Sequence, residues 1–131
     1  MARGLNEHKA RLEAVNALGR MLVRRSSSKC EVCEDGGVSL RPIEVAPVPE
    51  EPDLSEALFL CDTCKAAVQG GKIVGARWRC LDSVVWSDVR PVQVTSVRLV
   101  RRLADAGQEW AVDLLSGLYL DPEIEARISE G

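Results

Sequence analysis

The chain has 131 residues, 46% hydrophobic and 28% charged, with a net charge of -3. This is ordinary globular composition, and the near-neutral bulk charge by itself points to neither a nucleic-acid protein nor a halophile. Only 4% of residues are aromatic, so a core has to come from Val, Leu, Ala and Ile, and the length fits one domain or one small domain with helical flanks.

Charge is unevenly spread. Residues 1–29 carry a net +5, residues 30–64 a net -8, and residues 65–131 balance to zero. Either a basic N-terminal helix packs on an acidic lobe of the same molecule, or that helix meets an anionic partner.

Taken in chain order, residues 1–28 read as an amphipathic basic helix, with its helical part over about residues 5–25. Leu12, Val15, Leu18 and Leu22 form one apolar stripe, and Arg11, Arg20, Arg24 and Arg25 fall mostly outside it. Ser26, Ser27 and Ser28 end the helix, because hydroxyls compete for backbone hydrogen bonds. Arg3, Glu7, Lys9, Arg11 and Glu13 interrupt any signal-peptide apolar stretch, and no run approaches the ~18 apolar residues of a membrane span. The expected compartment is cytoplasmic, where paired cysteines serve as metal ligands more often than as disulfides.

Residues 29–72 read as a four-cysteine zinc module. Cys30-Glu31-Val32-Cys33 is followed by the turn signal Glu34-Asp35-Gly36-Gly37. Val38, Leu40, Ile43 and Val45 then alternate as in a half-buried strand. Pro42, Pro47, Pro49 and Pro52 mark a loop, and Asp53-Leu54-Ser55-Glu56 resembles a capping box that starts a helical turn. Ala57-Leu58-Phe59-Leu60 is a short apolar run into Cys61. A helical turn follows Cys64, and Gly70-Gly71 stops it.

Residues 73–131 read as a helical segment. Trp78, Leu81 and Val85 share a face with Trp86 close to it. Pro91 suits the first position of a helix continued by Val94, Val97, Val100 and Ala104, with Arg98, Arg101 and Arg102 largely opposite. Gly107 ends that helix. Trp110, Leu114, Leu115 and Leu118 make another, and Asp121-Pro122-Glu123 opens a last one.

Cys30, Cys33, Cys61 and Cys64 are the candidate metal ligands. Each CxxC turn places two sulfurs on one edge of a tetrahedron, and two such turns supply all four corners. The 27 intervening residues exceed the ~15–20 of the commonest pattern, an excess that the proline-rich acidic loop absorbs. Thiolates favour a single structural Zn2+, although four thiolates also hold iron. Four protein ligands close the shell, so the metal is expected to hold the fold rather than to do chemistry. Cys80, the fifth cysteine, reads as a small core residue.

Catalytic constellations are scarce. His8, the single histidine, sits on the basic helix without a turn to present a nucleophile, and no GxSxG, Walker A or GxGxxG sequence occurs. The acids Glu44, Glu50, Glu51, Asp53 and Glu56 lie in a loop and read as solvated.

The order CxxC, hairpin, loop, Leu58-Phe59-Leu60, CxxC is distantly similar to the treble-clef framework of HNH nucleases. The histidines that carry their chemistry are missing, since Ile43-Glu44-Val45-Ala46-Pro47 and Lys65 stand at the corresponding places. A closer resemblance rests on Arg25 through Cys33, Leu60 through Cys64, the block Trp78 through Val89, and Pro91-Val92-Gln93-Val94. These look like the zinc-ribbon part of PhnA-type proteins, named for an alkylphosphonate-utilisation operon. The resemblance covers about residues 20–120 and implies a cytoplasmic bacterial zinc protein; longer relatives carry a further small β-rich domain.

The expectation is therefore a small α+β zinc-binding fold, a zinc ribbon or treble clef with an N-terminal helix and a C-terminal helical segment. It would act as a non-catalytic macromolecular binding or regulatory module. Nucleic acid or protein is the candidate partner, with Arg20, Arg24, Arg25 and Lys29 as phosphate contacts and Arg98, Arg101 and Arg102 as a second set. Two alternatives are a hydrolase acting on phosphonates or related small anions, which rests on family naming alone, and an oligomerisation module using the helices with Trp78, Trp86 and Trp110.

Overall fold

The structure is a computed structural model that describes residues 2–130, with side chains from residue 4; Met1 and Gly131, the outermost positions of the sequence segments, lie outside it. Among the described residues, seven helices and a two-stranded antiparallel sheet make a small α+β fold.

The N-terminal segment is two helices, not the single one expected. α1 (Ala2–Ala17) and α2 (Gly19–Ser26) are separated at Leu18. The Leu18 N–H bonds to Val15 O, an i−3 acceptor, so the chain tightens just before Gly19, a poor helix former. The tightening rotates the apolar stripe. Val15 and Leu22 are buried, whereas Leu12 is half exposed. The serines end α2 as expected: Ser27 and Ser28 take left-handed conformations, and the Ser28 N–H bonds back to Val23 O at 3.0 Å.

β1 (Leu40–Glu44) pairs with β2 (Ala57–Cys61), with Leu40 opposite Cys61 and Glu44 opposite Ala57. Val38, expected in the strand, is exposed ahead of it. It has no partner because the chain beyond Cys61 turns into α3 (Asp62–Val68). Pro42, expected in a loop, lies inside β1 opposite Phe59. It is tolerated there because the backbone of Phe59 faces away from β1. Its N–H donates to Glu31 Oε1 at 2.8 Å and its carbonyl accepts the Glu31 N–H at 2.9 Å. All five residues of β2 are buried, which suits the run Ala57-Leu58-Phe59-Leu60-Cys61. Asp53 starts a 3-10 turn over Leu54–Glu56, its side chain accepting the Ser55 N–H.

After α3, a 3-10 turn over Ala76–Cys80 leads into α4 (Leu81–Val84). α5 (Arg90–Asp105), with Pro91 in its first turn, is the central element and packs against β2 and helices α3, α4, α6 (Glu109–Ser116) and α7 (Pro122–Glu130). Val94, Val97 and Val100 are at most 1% exposed. Each such valine stabilises the fold by about 1.5–2 kcal/mol. Trp78 is buried with Leu81 and Val85, while Trp86 is 54% exposed and Trp110 half-buried. Of the three tryptophans, Trp86 alone is exposed. One cluster of buried side chains runs from Cys30 and Val32 through Leu58 and Val97 to Leu103 and Ile128.

The opposed charges of the N-terminal helices and the acidic stretch meet inside the molecule. Arg11 forks onto Glu44 at 2.7 and 2.8 Å, and Arg25 forks onto Glu31 at the same distances. Among the described residues no helix is long and apolar enough to cross a membrane.

Candidate metal centre

Two short devices deliver the four cysteines. The first is a tight turn between α2 and β1. The Glu34 N–H bonds to Cys30 O at 2.9 Å, Glu34 takes a left-handed conformation, and the Cys30 N–H bonds to Asp35 O at 3.0 Å. This fold-back sets Cys30 and Cys33 on the same side. The second device is the passage from β2 into α3. Cys61 is both the last residue of the strand and the N-cap of the helix, its sulfur accepting the Cys64 N–H at 3.5 Å. Cys64 therefore stands one turn further on the same face.

The turn and the hairpin are tied together by Glu31. It exchanges two hydrogen bonds with the backbone of Phe59, and its carboxylate receives the Arg25 fork. Arg25 also donates to Leu54 O and Ala57 O. The side chains of Arg25 and Glu31 are only 19% and 4% exposed, so both charges depend on each other. Spacing alone did not reveal this pair, because an arginine beside a CxxC looks like surface charge.

The ligand atoms of Cys30, Cys33, Cys61 and Cys64 lie within 4.8 Å of one another, and three of the four residues are buried. The Cys33 and Cys61 sulfurs are 3.7 Å apart, far beyond a disulfide bond, and all four cysteines are free. A tetrahedron of Zn–S bonds of about 2.3 Å has edges of about 3.8 Å, which the Cys33–Cys61 separation matches. The cluster can hold one metal ion.

Protonation supports that fit. The hydrogen bond from Cys64, joined by backbone N–H groups and opposed by burial, pulls the Cys30 thiol down to about 4. Burial pushes Cys33 up to about 12, and the hydrogen bond to Cys30, with burial, pushes Cys64 well above the usual thiol range. The close packing thus concentrates negative charge on Cys30 at the expense of Cys33 and Cys64. A divalent cation removes that conflict and lets all four ionise. Arg77 stands near the same charge. Burial works to lower its pKa, but Cys33, Cys64 and Cys61 together with Asp35 outweigh it and raise the net value. Cys80 packs against the core cluster and is not among the four clustered cysteines; burial raises its thiol.

The arginines proposed from sequence as phosphate contacts divide into two sets. Arg25 is committed to Glu31 and two carbonyls. Arg98 donates to Arg127 O and Ile128 O, Arg102 to Ala67 O and Gly71 O, and Arg101 pairs with Glu125. These four fasten helix ends and loops. Arg20, Arg24 and Lys29 are exposed and, among the described residues, have no carboxylate oxygen within 4.0 Å. His8 is exposed on α1.

Comparison with protein-family models, curated proteins and solved structures finds no match to this chain.

Proposed function

We propose that this chain is a structural-zinc module of treble-clef type that binds a macromolecular partner and performs no reaction at its metal. The observation that carries the reading is the closed set of four sulfurs delivered by a turn and by a strand-to-helix passage. A tetrahedral ion held by four thiolates keeps no position for water or substrate, so its contribution is fold energy. The order of turn, antiparallel hairpin and ligand-bearing helix supports the treble clef over a ribbon, in which the second pair would sit on another hairpin. Zinc is the ion of this reading because the site is assigned a structural role; four thiolates in a tetrahedron accommodate iron as well, and elemental analysis separates the two. The resemblance of Arg25 through Cys33, Leu60 through Cys64 and above all Trp78 through Val89 to PhnA-type proteins is what supports a kinship with that family in this reading.

Elemental analysis of the purified protein, followed by a melt with and without a chelator, tests it. One equivalent of zinc and a large chelator-induced loss of stability are expected; iron, or a stoichiometry near zero after zinc supplementation, overturns it. The partner surface in this reading is the edge formed by Arg20, Arg24 and Lys29, whose charges are left over after internal pairing. Such an edge suits the phosphate backbone of a nucleic acid. Mobility shifts at low salt should show binding that weakens as salt rises and is lost when all three residues are replaced by Gln. Unchanged DNA and RNA mobility at micromolar protein removes nucleic acid as the partner.

A further inference from the structure

An apolar hollow lies away from the cysteines. It lies at the other end of α3, between the end of β1, the middle of α5 and the last turn of α7, with a volume of about 490 Å³. Val45, Val68, Leu99 and Ile128 give it an apolar wall, and Arg98 and Arg102 line it as well. Pockets of this size and character take small organic ligands.

The charges around the hollow are unequal. Glu44, also on its lining, is neutralised by Arg11, and Arg101 is neutralised by Glu125. Arg98 and Arg102 have no carboxylate oxygen within 4.0 Å among the described residues. Each donates two hydrogen bonds to backbone carbonyls, which fix the guanidinium without cancelling its charge. Each also retains further N–H donors. Burial lowers the Arg98 pKa, with repulsion from Arg127 adding to it and Glu130 and Glu56 acting against it. Two immobilised guanidiniums at an apolar wall match a ligand with an anionic head and a hydrocarbon body. A bare ion leaves the wall wet, and a neutral apolar molecule leaves the guanidiniums unpaired.

We infer that the hollow between β1, α5 and α7 is a binding site for a small amphiphilic anion, its carboxylate or phosphate head held by Arg98 and Arg102 and its apolar body lying against Val68 and Leu99. The site is separate from the cysteine cluster, although α3 carries metal ligands at one end and part of this wall at the other.

Titration calorimetry on the zinc-loaded full chain tests the inference with octanoate, octyl phosphate, 1-octanol and inorganic phosphate. Octanoate or octyl phosphate should saturate one site, and the tighter of the two identifies the head group. Octanol and inorganic phosphate should each bind at least about tenfold more weakly than that anion, the loss expected for one missing charge-assisted contact or for the missing body. Arg102→Met should weaken the anion about tenfold and leave octanol unchanged. Val68→Trp, which fills the hollow and keeps both arginines, should abolish binding while the protein retains a native amide NMR spectrum. No saturable binding of either anion, equal affinity for octanol, or undiminished affinity in folded Val68→Trp overturns the site.

Discussion

Cys61 carries three duties at one position. It closes the β1–β2 ladder opposite Leu40, caps α3, and contributes one of the four sulfurs. Serine keeps the cap but is a poor ligand for a soft thiolate site. Structural zinc supplies on the order of 10–16 kcal/mol in zinc-finger peptides, so losing one ligand should cost several kcal/mol. In Cys61→Ser, hydrogen-exchange protection across residues 30–64 is expected to collapse; native protection there would show that the metal is not the clamp. The thiols make a second expectation at this scale. Cys33, at about 12, and Cys64, higher still, are protonated at neutral pH in the metal-free cluster. Metal binding must displace at least those two protons, so affinity rises with pH, by about 100-fold per unit near pH 7. Zinc titrations in buffers of different ionisation enthalpy count the protons, and a release near zero would mean the thiols are already ionised. Arg25 makes the third. Replacing it with Met strands the buried Glu31 charge and frees two carbonyls, at a cost of about 3 kcal/mol. Urea unfolding of the zinc-loaded protein measures this, and a loss under about 1 kcal/mol would place the pair among ordinary surface ion pairs.

The elements divide into those whose signal is local and those whose position is decided elsewhere in the chain. Both CxxC turns, the buried run of β2, the serine stop after α2 and the Pro91 start of α5 were legible, because each is written within a few adjacent residues. Pro42 was not, since its tolerance depends on Phe59 bonding to Glu31, 28 residues away. Val38 was not, since its exposure follows from where β2 ends. The excess charges of the first two segments were visible as totals, but the Arg11–Glu44 and Arg25–Glu31 pairings depend on the fold. The same holds for Arg127, which showed no sequence signal yet is buried, forks onto Glu56 and donates to Val45 O and Pro47 O. It joins α7 to the loop that connects β1 and β2. Arg127→Met should cost about 3 kcal/mol by leaving Glu56 and two carbonyls without their donor. Exchange protection in α7 should fall first, with zinc content unchanged, and full protection of α7 would refute that tether.

At the scale of the whole molecule, the question is whether the metal holds one part or all of it. Cys30, Cys61 and Cys64 belong to the same buried cluster as Val97, Val100, Leu103 and Ile128, so the sulfurs are part of the wall on which α5 packs. The charge distribution works the same way: the basic α1–α2 arm is fastened by Arg11 to Glu44 and by Arg25 to Glu31. In the proposed metal-bound state, loss of the ion would leave unliganded thiols in that wall and loosen the hairpin on which both the arm and α5 rest. A chelator should lower the melting temperature by more than about 20 °C, given that each 1 kcal/mol moves a domain of this size by roughly 3–5 °C and the ion supplies several. The loss should appear as a single transition, with α5 and α7 losing protection together with residues 30–64. Two separated transitions, the helical one unmoved by the chelator, would show instead that the C-terminal helices hold a core of their own and that the clamp serves the hairpin alone.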